Sequence, residues 1–332
     1  MQNASKSSPE ANRVVVSVNP KAGARSPQTR SDRLVELLRQ RDLQVETFTD
    51  LEKVAERAIQ WYEQGLLRAL VGVGGDGTAA ELVNRTPQGL PLTMLPAGNE
   101  NLLARFLGLG ESPETICKII TDGNLIRLDV GKANDRIFLL MLGCGLDGDV
   151  VERVHRRRTG HIRTWNYFKP ILESIRRYKF PELRLFWEEE PHENPVAAPS
   201  ETGSPAQHAG WAEETPAAVV RWLFAFNLPC YGGGLKIVPQ ADGMDGLLDI
   251  CAFDRGSLLS GLKYAAAVYL RRHQRLADCT MARVRRLRIT SEAEVPYQLD
   301  GDPGGFLPVD VEVVSERLTL VVPSPEPDPV NP

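Results

Sequence analysis

Three loops carry the residue types that handle phosphate. Gly74-Gly75-Asp76-Gly77-Thr78 follows the apolar run Leu67–Val73 and precedes a helical pattern reaching about Asn84. Glycines there let backbone N–H groups approach an anion closely, and a following helix adds its positive N-terminal end. Asp76 is out of place in a pure phosphate cradle, since it repels phosphate. It suits a contact to a ribose hydroxyl or, through water, to magnesium. Asn19-Pro20-Lys21-Ala22-Gly23 follows the Val-rich run Val14–Val18, and Pro96-Ala97-Gly98-Asn99-Glu100-Asn101 follows Leu92–Leu95. Loops leaving the carboxyl ends of strands are where open α/β sheets take ligands. No GxxxxGK[ST] occurs, which excludes a P-loop NTPase, and a dinucleotide Rossmann site is not expected. Alone, the GGDG run reads equally well as a tight turn.

Other chemistry is sparse. His155, His161, His192, His208 and His273 show no ligand spacing, and no GxSxG supports a Ser-His-Asp triad. The five cysteines are widely spaced with no CxxC pair, which fits reduced thiols in a cytoplasmic protein better than a disulfide framework or zinc ribbon.

The elements that must position these loops alternate. Strands at Val14–Val18, Leu43–Thr49, Leu67–Val73 and Leu92–Leu95 are interleaved with helices at Ser31–Arg41, Leu51–Glu63, after Gly77 and around Leu102, Leu103 and Phe106. That rhythm predicts a parallel sheet flanked by helices, an α/β domain over residues 13–125. Beyond it the pattern changes. Ile126–Val130, Arg136–Gly143, Glu182–Phe186, Val219–Leu228, Leu247–Phe253 and Val284–Ile289 read as strands, with helices at Trp165–Tyr178 and Ser257–Arg272. A β-rich, mostly antiparallel C-terminal domain over residues 126–324 is expected. Trp187–Ala218 holds five prolines, seven glutamates and no Lys or Arg, and reads as a mobile surface insertion over residues 187–218.

The 332 residues are 42% hydrophobic and 25% charged, enough to bury a core without staples. A net charge of −4 argues against a nucleic-acid binder relying on overall positive charge. No run of 18 apolar residues predicts a transmembrane helix, and Met1–Asn12 shows no apolar signal-peptide core.

In order and spacing the three loops resemble those of the diacylglycerol kinase catalytic-domain family, which includes bacterial lipid kinases and sphingosine kinases. The resemblance continues at Asp242-Gly243-Met244-Asp245-Gly246-Leu247-Leu248-Asp249, similar to the family's DG-x-LD segment. It continues again at Gln298-Leu299-Asp300-Gly301-Asp302-Pro303, similar to Q-x-DGE-P. It therefore spans about Val14 to Val322. It implies an NAD kinase/diacylglycerol kinase-like fold, with ATP and magnesium as cofactors. Asn19, Pro20, Lys21, Ala22, Gly23, Thr49, Gly75, Asp76, Gly77, Thr78, Ala79, Ala80, Glu81 and Asn99 would line the nucleotide. Asn99 stands where the family has threonine, and Ala80 where it often has a polar residue. Asp245 would ligate magnesium with carbonyls of Asp242 and Leu247, oxygen donors that suit this cation. Without the resemblance the segment reads as an Asp-Gly-rich turn. Asp302 replaces the family's glutamate as the base for the acceptor hydroxyl, with Asp300 the nearby alternative.

The implied activity is transfer of a phosphoryl group to a lipid alcohol. Two rivals stand beside it: a kinase of a soluble alcohol such as NAD, and a non-catalytic nucleotide or lipid sensor. Arg153, Arg156, Arg157, Arg158, Arg163, Lys169, Arg176, Arg177 and Lys179 interleave with Trp165, Tyr167, Phe168, Tyr178 and Phe180. The pattern suits docking on a peripheral membrane surface, or a solvated helix whose aromatics point inward. No nucleic-acid partner is expected, and a homodimer is compatible with the sequence.

Overall fold

The computed structural model describes residues 5–6, 8, 10–20, 27–156, 177–187 and 215–324. The N-terminal part runs β1 (Ser5–Lys6), β2 (Arg13–Val18), α1 (Pro27–Arg39), β3 (Gln44–Phe48), α2 (Leu51–Glu63), β4 (Leu67–Gly74), α3 (Asp76–Arg85), β5 (Pro91–Pro96), α4 (Leu102–Phe106) and α5 (Pro113–Asp122). Strands β3, β2, β4 and β5 lie side by side and parallel. The Val- and Leu-rich runs of β2, β4 and β5 are buried on both faces, as a sheet covered by helices on each side requires. The helices start where short polar residues supply caps. Asp50 accepts the amides of Glu52 and Lys53 at 3.0 and 3.1 Å, and Ser112 accepts that of Thr115 at 3.1 Å.

The remaining elements are β6 (Asn124–Ala133), β7 (Arg136–Phe138), β8 (Met141–Cys144), α6 (Leu146–Arg156), β9 (Leu183–Phe186), β10 (Ala218–Val220), β11 (Trp222–Phe226), β12 (Leu248–Phe253), α7 (Leu258–Tyr269), β13 (Cys279–Val284), β14 (Arg286–Thr290), β15 (Pro296–Leu299), β16 (Asp302–Phe306) and β17 (Val309–Val322). Six of the strands form a purely antiparallel sheet in the order β13-β12-β11-β8-β15-β16. The other sheet is mixed. The long β17 pairs antiparallel with β14 and β6, and its far end, at Thr319 and Leu320, adds in parallel to β5. One sheet thus runs through both halves of the chain. Leu223, Ala225, Ile250 and Ala252 of the six-stranded sheet pack against Leu185, Leu287, Ile289, Val309 and Val311 of the mixed one. The result is the expected parallel α/β part followed by an antiparallel β part.

Three segments read as single strands each divide between the two sheets. Arg136–Gly143 breaks at Leu139-Leu140, because the amides of Leu139, Leu140 and Met141 turn to the Asp300 carboxylate at 2.6, 2.8 and 3.0 Å. Val219–Leu228 breaks at Arg221, whose guanidinium holds the Phe180 carbonyl at 2.8 Å. The strand read at Val284–Ile289 begins earlier, at Cys279, and reaches Thr290 with a break at Arg285, whose carbonyl accepts the Val313 amide. The helix read at Trp165–Tyr178 lies almost wholly outside the described residues, as does most of the insertion.

Candidate active site

Asn19, Thr49, Gly75 and Ala97 each follow the last residue of a parallel strand, so the predicted loops share the sheet's carboxyl edge. Lys21, Ala22 and Gly23 lie outside the described residues. Asn19 is tied to the glycine loop: its amide donates to Val73 O at 3.2 Å, and its Nδ2 to Thr78 Oγ1 at 3.2 Å. No side chain caps α3 at Gly75; its carbonyl accepts the Thr78 and Ala79 amides at 3.0 and 3.2 Å, which leaves the earlier amides of this ten-residue helix without a backbone acceptor in it.

The second and third loops touch backbone to backbone. A Cβ built on Gly98 would lie 2.6 Å from Gly75 Cα, closer than real Cβ atoms come. Asn101 shapes the third loop from a left-handed conformation (φ +50°). Its Oδ1 accepts the Gly98 amide and its Nδ2 donates to the Gly98 carbonyl, both at 2.9 Å. Asp76 has a structural role that the sequence does not announce. Its two oxygens accept the Leu102 and Leu103 amides at 2.9 Å each. The carboxylate clamps the glycine loop to the start of α4. Burial pushes its pKa up against the pull of those amides.

Asp302, the carboxylate read as the base, arrives from the other sheet. Asp300 and Gly301 form the two-residue turn of the β15–β16 hairpin, with φ of +53° and +87°. Both values are positive, as in a type I′ turn, for which Asp-Gly is a preferred sequence. The turn places Asp302 first in β16, against the glycine loop. A Cβ on Gly77 would lie 3.2 Å from Asp302 Oδ2. Asp300 is committed elsewhere, its carboxylate taken by three backbone amides, and burial pushes it up to about 6.

A network that the sequence reading missed stands behind this turn. Gln298 Oε1 accepts the Gly301 amide at 2.7 Å, and Gln298 Nε2 donates to Asp147 Oδ2 at 2.8 Å. Tyr231 donates its hydroxyl to Asp147 Oδ1 at 2.5 Å. Burial pushes Asp147 up, while its two donors pull the other way. Gln298 opens the Gln298–Pro303 motif; nothing local marked Asp147 or Tyr231.

The acidic turn of residues 242–247 is fastened from outside. Asp129 accepts the Gly246 amide at 2.8 Å and the Glu316 amide at 2.7 Å, and its own amide donates to Gly243 O at 2.7 Å. Asp245 accepts the Leu247 amide at 3.0 Å and pairs with Arg283; Asp242 accepts the Met244 amide at 3.2 Å. Asp249 Oδ2 is buried without a hydrogen-bond partner. Burial pushes Asp245 and Asp249 up despite Arg283, with Asp242 adding to both. This surplus of carboxylate oxygen fits a hard cation. Among the described residues no three acidic, His or Cys side chains converge on one point. A cation would therefore draw on one carboxylate, backbone carbonyls and water, in competition with Arg283.

The basic-aromatic stretch is described only at its ends. There Arg153 pairs with Asp149 at 2.6 Å and Arg156 with Glu152 at 2.8 Å, and Phe180 is buried against Trp222 with ring centroids 5.7 Å apart. No helix among the described residues is long and apolar enough to cross a membrane.

Residues 13–133 match the family described as diacylglycerol kinase catalytic domain, and residues 141–322 that described as YegS C-terminal NAD kinase beta sandwich-like domain. The chain is 27% identical over 262 residues to a diacylglycerol kinase of Mycobacterium tuberculosis, covering 77% of each chain. A diacylglycerol kinase of Staphylococcus epidermidis is 22% identical over 273 residues, covering 81% of this chain and 77% of the relative. The crystal structure of a diacylglycerol kinase from Bacillus anthracis superposes with a TM-score of 0.66 at 21% identity, over 94% of this chain and 97% of the other. By these two matches, which between them take in most of the chain, it belongs with the proteins that join a diacylglycerol kinase catalytic domain to a YegS-type C-terminal NAD kinase beta sandwich-like domain.

Proposed function

We propose that this protein is an ATP-dependent lipid kinase that transfers the γ-phosphoryl group of ATP to the hydroxyl of a lipid alcohol such as a diacylglycerol or a sphingoid base. The observation that carries this reading is Asp302 Oδ2 beside Gly77, a carboxylate delivered to a loop built for phosphate. Among the described residues that carboxylate has no side-chain partner, whereas those of Asp76 and Asp300 are occupied by amides.

The chemistry then needs few parts. ATP phosphates lie against the amides at the start of α3 and along Asn19 and the Gly75–Gly98 contact. Asp302 takes the acceptor's proton while the hydroxyl oxygen bonds to the γ-phosphorus. The bond from that phosphorus to the β–γ bridging oxygen breaks, and ADP leaves with the electron pair. General-base catalysis of this kind typically contributes about 10²–10⁴ in rate. Magnesium would be held by Asp245 with carbonyls of Asp242 and Leu247, neutralising the buried charge of the acidic turn. Incubation with labelled ATP and a panel of lipid alcohols in mixed micelles, read by chromatography, tests the reading. A phosphorylated lipid is expected. Phosphorylation of a soluble alcohol alone, or nucleotide binding without any transfer, overturns it.

A further inference from the structure

The helical spacing of Leu258, Leu259, Leu262, Ala265, Ala266 and Tyr269 places them on one face, and such a face ordinarily turns to the core. In α7 it does not. The buried side is Gly261, Tyr264, Ala267 and Val268. Gly261 lets the helix settle on Trp222, whose Cζ2 would be 3.2 Å from an added Cβ. Tyr264 stacks on Phe253 with ring centroids 4.3 Å apart, and its hydroxyl donates to Asp278 at 3.0 Å. The leucine face is left in solvent: Leu259 is 78% exposed, Tyr269 77%, Leu270 62%, Leu262 54% and Leu258 46%. These are five of the eight large exposed hydrophobic residues among those described.

The rim of this face is cationic. Arg255 precedes the helix, and exposed Arg271, Arg272 and Arg275 follow it. Lys263 and Arg255 share the carboxylate of Asp278 at 2.8 and 3.5 Å. Arg271, Arg272 and Arg275 have no carboxylate within ion-pairing distance among the described residues. From Asp254 to Asp278 five cationic side chains stand against two carboxylates, in a chain whose net charge is −4. An apolar ridge with unpaired arginines beside it gains twice at a bilayer of acidic lipids: once from burying leucine and tyrosine among acyl chains, once from the negative surface potential. A two-fold contact between copies gains only the first, because it brings cationic rims together.

We propose that the exposed face of α7 docks this protein on an anionic lipid bilayer. The helix lies on the same side of the six-stranded sheet as Phe224, Phe226 and Tyr231, and Tyr231 leads through Asp147 and Gln298 to the hairpin that carries Asp302. Its purpose rests on the lipid-kinase reading; the docking itself is measured without turnover.

The test is co-sedimentation with sucrose-loaded vesicles, either phosphatidylcholine alone or phosphatidylcholine with an equal share of phosphatidylglycerol. The parent is expected to bind the mixed vesicles and to be released by high salt. Leu259→Ser with Leu262→Ser is expected to lower binding at least tenfold, and Arg271→Glu with Arg272→Glu likewise on the mixed vesicles. Turnover of an acceptor in detergent micelles should stay at the parental level in both. Parental vesicle binding by the leucine pair overturns the proposal, as does a parent that ignores mixed vesicles. So does a leucine pair that turns a dimer into a monomer by light scattering, which would give the face to a second copy. A parent that binds vesicles but phosphorylates no lipid sinks the kinase reading and leaves the docking intact.

Discussion

Asp300→Asn separates charge from shape at the point where the two sheets exchange a strand. The parental carboxylate accepts the amides of Leu139, Leu140 and Met141 at 2.6, 2.8 and 3.0 Å, yet burial lifts its pKa from the ordinary 3.8 to about 6, with the charge of Asp76 adding to the lift. A carboxyl whose folded pKa exceeds its unfolded value binds more protons when folded. Its contribution is therefore fully present below about pH 3.8 and is lost as the pH rises through about 6. At about 1.4 kcal/mol per unit, the loss reaches up to about 3 kcal/mol across that window. Asparagine keeps one acceptor oxygen and turns an NH2 group toward one of the amides, at a cost of about 1–3 kcal/mol that does not vary with pH. Urea unfolding of both proteins from pH 4.5 to 7 is the assay. The parent should be the more stable at the acid end, and the gap should close or reverse by pH 7. A gap of constant size would refute the assignment of this titration to Asp300.

Gly98→Ala places a Cβ 2.6 Å from Gly75 Cα, so the two loops must part. Affinity for a fluorescent ATP analogue should fall at least tenfold, about 1.4 kcal/mol, and titration of the folded variant checks it. Asp245→Asn, which removes the carboxylate proposed to hold magnesium, should abolish any thermal stabilisation by millimolar magnesium. Arg283→Gln, which frees the Asp245 carboxylate, should lower the magnesium concentration required; melting curves across a magnesium series read both. Asp76→Ala strips the acceptor from the Leu102 and Leu103 amides. The melting temperature should fall, with about 1–3 kcal/mol lost for each unpaired amide, and urea unfolding measures the total.

What was legible in the sequence was what local patterns encode. The Val-rich runs gave the parallel strands, and the glycines between strand and helix gave the loops at their carboxyl edge. Contacts between distant residues were not legible. The break at Leu139-Leu140 depends on Asp300, about 160 positions away, and nothing in Arg136–Gly143 announces it. Asp76 drew notice because it sits among glycines, but nothing nearby announces its bonds to the amides 26 and 27 residues later. Strand β17 did carry a signal, the alternation of Val309, Val311 and Val313 with acidic residues; its parallel pairing with β5 did not. Periodicity also gathered the leucines of α7 onto one face. It could not say that Gly261 and Tyr264, on the other face, would be the ones to meet Trp222 and Phe253.

The central claim is that Asp302 takes the proton of a lipid hydroxyl beside the glycine loop. The most direct measurement is kcat for Asp302→Asn on the phosphorylated lipid, with ATP affinity determined in parallel. The account predicts a loss of about 10²–10⁴ in kcat with nearly unchanged ATP binding, and substantial activity in Asp302→Glu. Near-parental turnover by Asp302→Asn would contradict it.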